Sequence, residues 1–454
     1  MLEARALNLT LDFCLRVGEI LLSSGAGAAD VTATMRSVSW QLGVRHPDID
    51  VTFTSLSMSF QPNPEEPALF QVRQVKQRDI DYEDLTQVDH LVRDVLGDRV
   101  DLMEARSRLA RIVSSGHNTP RWAVTLGWGV MCAGVGLLLG GNATVIAIAF
   151  AAAVCIDRSQ LVMARRRVPF FYRQVAGGGI ATIFAVVAAA TKLDVDPSLV
   201  VTANIVMLLA GIGFMGALQD ALSGFYVTAG ARLTEALLAT AGIIAGVSGG
   251  LSLGSFFGVD VGQLDPGATD WESVTMMAVG SAICAAAFAF ASYAPTRAIP
   301  PIALIAGIAI VIAQTIALQG FSRAWATAIA AFFIGLVSYA VAGRVRVPPL
   351  VVVVSAVVPM LPGLSIYRGL ALLGEGGGNA TSDGLLAMAT AASVAIALAS
   401  GVILGEYVAQ PLKREAEKVE LRLSGPRLVG PLRMRTGRAA RRERRAGETL
   451  ATEQ

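Results

Sequence analysis

Between residues 119 and 410 the chain is long, apolar and only sparsely charged, and nothing else constrains its fold as tightly. An apolar helix of about 20 residues crosses the hydrocarbon core of a bilayer. Backbone groups that meet no water must bond within their own segment, so a stretch of this kind folds as a series of such helices. The pattern predicts ten crossings, near 121–140, 142–162, 170–190, 198–218, 228–252, 272–293, 299–317, 324–342, 348–372 and 383–409. Composition agrees: 54% of the 454 residues are hydrophobic and 16% charged, with a positive mean hydropathy, too apolar for a soluble chain of this length. Charge gathers before residue 118 and after residue 411. Four segments follow: an N-terminal region 1–118, a first five spans within 119–270, a second five within 271–410 and a basic tail 411–454.

Lys and Arg in short loops mark the cytoplasmic side. Arg108, Arg111 and Arg121 precede the first span, Arg165, Arg166, Arg167 and Arg173 lie between the second and third, Arg297, Arg344 and Arg346 flank later loops, and Lys413 and Arg414 follow the last span. The other side holds Lys192 and Arg323. Both termini are therefore expected in the cytoplasm, in a multi-pass protein of the plasma membrane. The opening MLEARALNLTLDFCLRVGE holds acidic residues and no small-residue cleavage site, so the N-terminal region is expected to stay cytoplasmic.

That region reads as a compact α+β domain. LNLTLDFCLRVGEILLSSG, ADVTATMRSVSWQLG, LTQVDHLVRDVLG and VDLMEARSRLARIV have helical spacing, VTFTSLSMSF (51–60) and ALFQVRQV (68–75) read as strands, and SSGAGA (23–28) turns between the first two helices. The tail, with RTGRAARRERR at 435–445, suits anionic lipid head groups rather than nucleic acid. Cys14, Cys132, Cys155 and Cys284 offer neither a disulfide framework nor a zinc spacing. The three histidines, His46, His90 and His117, all precede the membrane, so proton chemistry within it falls to carboxylates. No metal, cofactor or catalytic residue is expected, and a homo-oligomer is left open.

One span is interrupted. VVPMLPGLSIYRG (357–369) sets two prolines and a glycine into an apolar run, and a proline inside a helix frees a carbonyl that lipid cannot satisfy. IVMLLAGIGFMGALQD (205–220) in the fourth span echoes it: with Gly211 over Gly363, Leu209 falls on Leu361 and Ala210 on Pro362, with Gln219 and Asp220 following one and Arg368 the other. Spans four and nine are equivalent in two halves of five, and an odd count per half inverts one half relative to the other. That is the plan of secondary transporters whose sites lie where corresponding helices break. The fold expected is mostly α, a ten-helix membrane transporter of two inverted five-helix halves with an N-terminal cytoplasmic α+β domain. Pro362, Gly363, Arg368, Ala210, Gly211, Gln219 and Asp220 are the candidate substrate or pathway residues; a kink that only shapes packing is the other reading.

Charges within spans are expensive and mark pathways. Asp157 and Arg158 read as a local ion pair, and Glu406 as interfacial. Asp220, Arg232 and Glu235 are the coupling candidates: partners for a zwitterion at the cytoplasmic mouth, with one carboxylate carrying a proton. A structural Arg232–Glu235 pair, one helical turn apart, is the alternative. Asn204 and Gln314 suit helix–helix hydrogen bonds.

With these stretches in view, the chain resembles the threonine/serine exporter family. The resemblance rests on ILLSSGAGAAD (20–30), LLAGIGFMGALQDALSGFYVTAGARLTEALL (208–238), PPLVVVVSAVVPMLPGLSIYRG (348–369) and ASGVILGEY (399–407), in the family's order and over nearly the whole chain except the tail. It implies export of L-threonine and L-serine driven by the proton motive force, by a non-enzymatic carrier. Two departures accompany it: Ala210 stands where the second half has Pro362, and Thr32 stands near the place of a family glutamate after the SGA turn. The alternative is an N-terminal domain with hydrolase-like activity on a membrane channel or a carrier for other small solutes. The absence of GxSxG, HExxH or a Cys–His combination there weighs against it.

Overall fold

In the computed structural model, residues 2–75, 80–191, 195–208, 211–256, 271–362, 365, 368–369, 372 and 378–423 are described. The N-terminal region opens with α1 (Leu2–Ser23) and α2 (Ala28–Gln41), continues through β1 (Asp48–Val51), β2 (Ser55–Phe60) and β3 (Leu69–Gln74), and ends in α3 (Tyr82–Leu96) and α4 (Leu102–Ser115). The strands form one antiparallel sheet in the order β1-β2-β3, with Asp48 opposite Ser59 and Ser55 opposite Gln74. The stretch 51–60, expected as one strand, is instead split by a tight turn. Thr52 causes the split, its backbone N–H and hydroxyl both donating to the Ser55 carbonyl at 2.9 and 3.0 Å, the local bonding that makes Thr a turn former.

Period-3.6 apolar spacing puts Leu85, Val88, Leu91, Val92 and Val95 of α3 on one buried face. Val88, Leu91, Val92 and Val95 join Phe13 and Val17 of α1, Met35 of α2 and Leu56 and Met58 of β2 in one core, while Leu85 joins Tyr82 in the core of the helices that follow. Two helix starts of the N-terminal region are capped by the residue that precedes them. Asp81 accepts from the Glu83 and Asp84 amides at 3.1 and 3.0 Å, and Asp101 from the Glu104 amide at 2.7 Å.

The remaining helices are α5 (Arg121–Leu138), α6 (Ala143–Arg165), α7 (Phe170–Ala190), α8 (Pro197–Leu208), α9 (Gly211–Leu222), α10 (Tyr226–Phe256), α11 (Trp271–Ala291), α12 (Ile299–Leu318), α13 (Arg323–Val345), α14 (Pro349–Val357) and α15 (Gly378–Leu423). Eight stretches among them are long and apolar enough to cross a membrane. Two expected spans depart from a straight helix. The fourth is a pair, α8 and α9, bent by 48°, and counts as a ninth crossing if the pair is one span. The ninth starts as α14, tightens into a 3-10 turn at Val358–Met360 and becomes extended at Leu361 (φ −62°, ψ 138°). Pro362 explains the last step, since the ring of a proline disfavours helical geometry in the residue before it. Much of 363–377 lies outside the described residues.

α8 and α14 are buried on every face: Val200 through Ile205 in one, Val351 to Val353 and Ser355 to Val357 in the other. α8 packs on α5, α6 and α7, and α14 on α11, α12 and α13. α5 and α11 pack on each other closely enough that a Cβ added at Gly134 would lie 2.8 Å from the Cys284 nitrogen. α7 meets α10 through Gly178, where an added Cβ would lie 2.6 Å from the Ile243 carbonyl oxygen, and α13 meets α15 through Gly335 and Gly405, against the Val402 and Phe332 carbonyls.

Residues 1–409 form one compact unit and 410–454 a second, whose described part continues α15 to Leu423. Within the first unit the N-terminal region docks on three loops. The Tyr82 amide donates to the Ser292 carbonyl at 2.9 Å and His117 stacks on Tyr293. His90 Nε2 and the Arg297 guanidinium each lie 3.0 Å from the Arg346 carbonyl. The Thr228 hydroxyl donates to the Val51 carbonyl at 3.0 Å.

Candidate functional site

The turn Ser24–Ala28 ends in Gly27, which occupies the N-cap of α2 with no side chain to offer. A helix start leaves four amides without intrahelical partners, and burying one unpaired costs about 1–3 kcal/mol. The missing cap comes from elsewhere in the chain: Asp220 Oδ1, at the end of α9, accepts from the Ala28 amide at 2.8 Å. Its other oxygen faces Arg232 Nε of α10 at 3.2 Å, and a second arm of that guanidinium donates to the Ala26 carbonyl at 2.8 Å. Asp220 and Arg232 are 1% and 6% exposed. The pair thus grips both ends of a peptide turn from the N-terminal region.

Small residues make room for the grip. A Cβ on Gly216 would lie 2.6 Å from the Arg232 guanidinium, and one on Gly27 would lie 3.4 Å from Asp220 Oδ1 and 3.9 Å from Gln219 Nε2. Arg232 also sits over the Phe53 ring, 5.8 Å from its centroid. Asp30, in the first turn of α2, reaches solvent yet is enclosed by protein on most sides; that desolvation, then the Asp220 charge, raises its carboxyl above the usual range. Glu406 of α15 is within electrostatic reach of Asp30. Three carboxylates from three parts of the chain therefore form a series, Glu406 to Asp30 to Asp220, and the last of them pairs with Arg232.

The structure brings together Gln219, Asp220 and Arg232 of the expected set. Glu235 lies half-buried one turn beyond Arg232, and Arg232 pairs with Asp220. Pro362 is buried at the end of the break, and Arg368 is helical and exposed. Ala210 and Gly363 lie outside the described residues, and Gly211 begins α9. Asp157 does not pair with Arg158: it accepts from Arg121 and Thr125 of α5, both at 2.7 Å. Adjacent helical residues point apart, so a sequence neighbour was the wrong partner. Asn204 donates within its own helix, to the Val200 carbonyl at 2.9 Å, and not to another one. Sequence reasoning missed Asp30, Ala26 and Ala28; the Gly at an N-cap position was the one local sign that a cap had to come from afar.

Comparison with known proteins identifies the family. The family described as "Putative threonine/serine exporter" matches residues 12–254, and "Threonine/Serine exporter, ThrE" matches residues 277–408. The chain belongs to the threonine/serine exporter family. It is 34% identical over 441 residues to a "Probable threonine/serine exporter" of Mycobacterium tuberculosis, covering 95% of this chain and 82% of that protein. It is 32% identical over 414 residues to a "Threonine/serine exporter" of Corynebacterium glutamicum, covering 89% and 83%. No solved structure matches. The first family match ends in α10 and so includes both the α1–α2 turn and the Asp220–Arg232 pair that holds it.

Proposed function

We propose that this chain exports L-threonine and L-serine across the plasma membrane, driven by the proton motive force, through two inverted five-helix halves with both termini in the cytoplasm. The observation that carries the reading is the pairing of family membership with two short, largely buried helices that end in breaks at equivalent places. Equivalent contacts support a repeat of two halves, and the odd number of spans in each half then inverts one relative to the other: α8 against α5–α7 mirrors α14 against α11–α13, α7 on α10 mirrors α13 on α15, and α5 packs on its counterpart α11. The docking of the N-terminal region supports the orientation, since Arg297 and Arg346 belong to loops that the distribution of basic residues assigns to the cytoplasm.

In this reading the Asp220–Arg232 pair stands at the cytoplasmic mouth, with Asp30 and Glu406 beside it, and one of these carboxylates carries the coupling proton. The turn Ser24–Ala28 closes the mouth while Asp220 and Arg232 hold it. The relatives are named exporters, and the hydrolase reading gains nothing from β2, where Ser55, Ser57 and Ser59 simply alternate with the core residues Leu56 and Met58. Cells loaded with a threonine dipeptide test the function. Protein-dependent threonine efflux that collapses with a protonophore is expected; efflux indifferent to the protonophore would contradict proton coupling, and none at all would contradict the substrate.

A further inference from the structure

The outer face of the N-terminal sheet carries charges of both signs around one cavity. Side chains alternate along a strand, so β2 sends Leu56 and Met58 into the core and Ser57 and Ser59 to the other face. The register sets Asp48 opposite Ser59 and Ser59 opposite Phe70, and in the next row Asp50 opposite Ser57. Opposed residues in an antiparallel pair have Cα atoms about 4.5–5.5 Å apart, and residues two apart along a strand about 7 Å. Two carboxylates, two hydroxyls and one aromatic ring therefore share a small patch of sheet. Arg36 of α2 completes it: with those five residues it lines a cavity of about 240 Å³.

The groups around this cavity do not satisfy one another. Among the described residues, Arg36 forms no ion pair with Asp48 or Asp50, and no side chain hydrogen-bonds to the hydroxyl of Ser57 or Ser59. Asp48 and Asp50 line one cavity from one short strand, where two carboxylates repel each other and favour a cation between them. Arg36 brings the forked donors that match a carboxylate. Ser57 and Ser59 bring hydroxyls that both donate and accept. Pockets for drug-sized ligands hold about 300–1,000 Å³, so this one suits a molecule of amino-acid size. The complement of the lining is a compact zwitterion, with an ammonium group for the aspartates, a carboxylate for Arg36 and a short polar side chain for the serines.

We propose that this cavity binds a small zwitterionic amino acid, Asp48 and Asp50 holding its ammonium group and Arg36 its carboxylate. Resting on the transport reading above, the amino acid is L-threonine or L-serine, and the N-terminal region holds a second site for the transported solute on the outer face of its sheet. The site lies on the hairpin whose tip meets α10: Val51, next to Asp50, accepts from the Thr228 hydroxyl at 3.0 Å, and the Phe53 ring lies against Arg232.

Hydrogen–deuterium exchange on the full chain in detergent, with L-threonine and L-serine as probes, tests the site. Amide exchange across 47–60 should slow as either amino acid is added. Arg36→Gln, and Asp48→Asn combined with Asp50→Asn, should each raise the half-effect concentration about tenfold, the loss of a hydrogen bond to a charged group. All three residues are exposed, so these variants keep the fold. On the wild type, N-acetylthreonine, which lacks the ammonium group, and threoninamide, which lacks the carboxylate, should act about tenfold more weakly than threonine for the same reason. No slowing in the wild type with either amino acid, an unchanged half-effect concentration in the variants, or equal action by the analogues would overturn the assignment. Counterflow of labelled threonine in proteoliposomes separates this site from transport. Counterflow without slowed exchange at 47–60 rejects the site and leaves the transport reading intact, whereas slowed exchange without counterflow rejects threonine as the transported solute and keeps the site.

Discussion

Asp220 does three things at once: it caps α2, neutralises Arg232 and charges the surroundings of Asp30. Removing one partner of a buried ion pair costs about 3–5 kcal/mol because the other charge is stranded. Asp220→Asn should therefore abolish gradient-driven threonine flux while the protein still reaches the membrane, and Glu235→Gln should do so if Glu235 carries the proton; full transport by both would remove carboxylate coupling from the account. A second residue-scale expectation concerns Asp84 at the start of α3. Burial, then the Asp81 charge, raise its carboxyl to about 6, with His117 opposing. A raised acid is penalised when ionised, so the cost is fully present above about pH 6 and gone below the ordinary carboxylate range near 4. Asp84→Asn should raise the melting temperature at pH 8 and leave it unchanged near pH 4; an equal gain at both would refute the titration. Asp220 and Arg232 were legible as candidates because charge in an apolar run is conspicuous. Their partner was not, since the turn they hold is about 200 residues away and made of Ser, Gly and Ala.

Elements were legible where a single physical rule fixed them. Eight spans follow from length and hydropathy alone, and the helices of the N-terminal region from period 3.6. The 48° bend between α8 and α9 has no proline in 198–222 to announce it, only glycines, whereas the break after α14 is written in Pro359 and Pro362. Pro362→Ala should accordingly impair transport more than Pro301→Ala at the start of α12; equal effects would leave the break as a packing feature. Glycine faces give a sharper contrast. A Cβ at Gly246 would collide with the Val175 carbonyl, while one at Gly249, three residues along α10, meets open space. Gly246→Val should lower accumulation of folded protein severely by separating α10 from α7, and Gly249→Val should be tolerated, as judged by size-exclusion profiles in detergent.

At the scale of the molecule, the proposed repeat shows in the sequence only as a short echo between two stretches, too brief to give the packing. What strengthens it is the matching of contacts between halves, which depends on helix faces and not on identical residues. The same geometry puts the N-terminal region against Tyr293, Arg346 and Thr228, so the region read from sequence as a compact α+β domain packs directly on the helices that follow it. Cysteines introduced at Gly140 and Gly320 should react with an impermeant reagent on intact cells, and those at Arg167 and Thr296 only after permeabilisation; the reverse pattern would invert the orientation. Coupling of threonine movement to protons is the central expectation for this protein. Proteoliposomes containing the full chain, loaded with labelled threonine and given an imposed pH gradient, measure it directly. Threonine moving against its own concentration gradient in the wild type, and only down it or not at all in Asp220→Asn, is the predicted result; equilibration that ignores the pH gradient in both would contradict a proton-driven exporter.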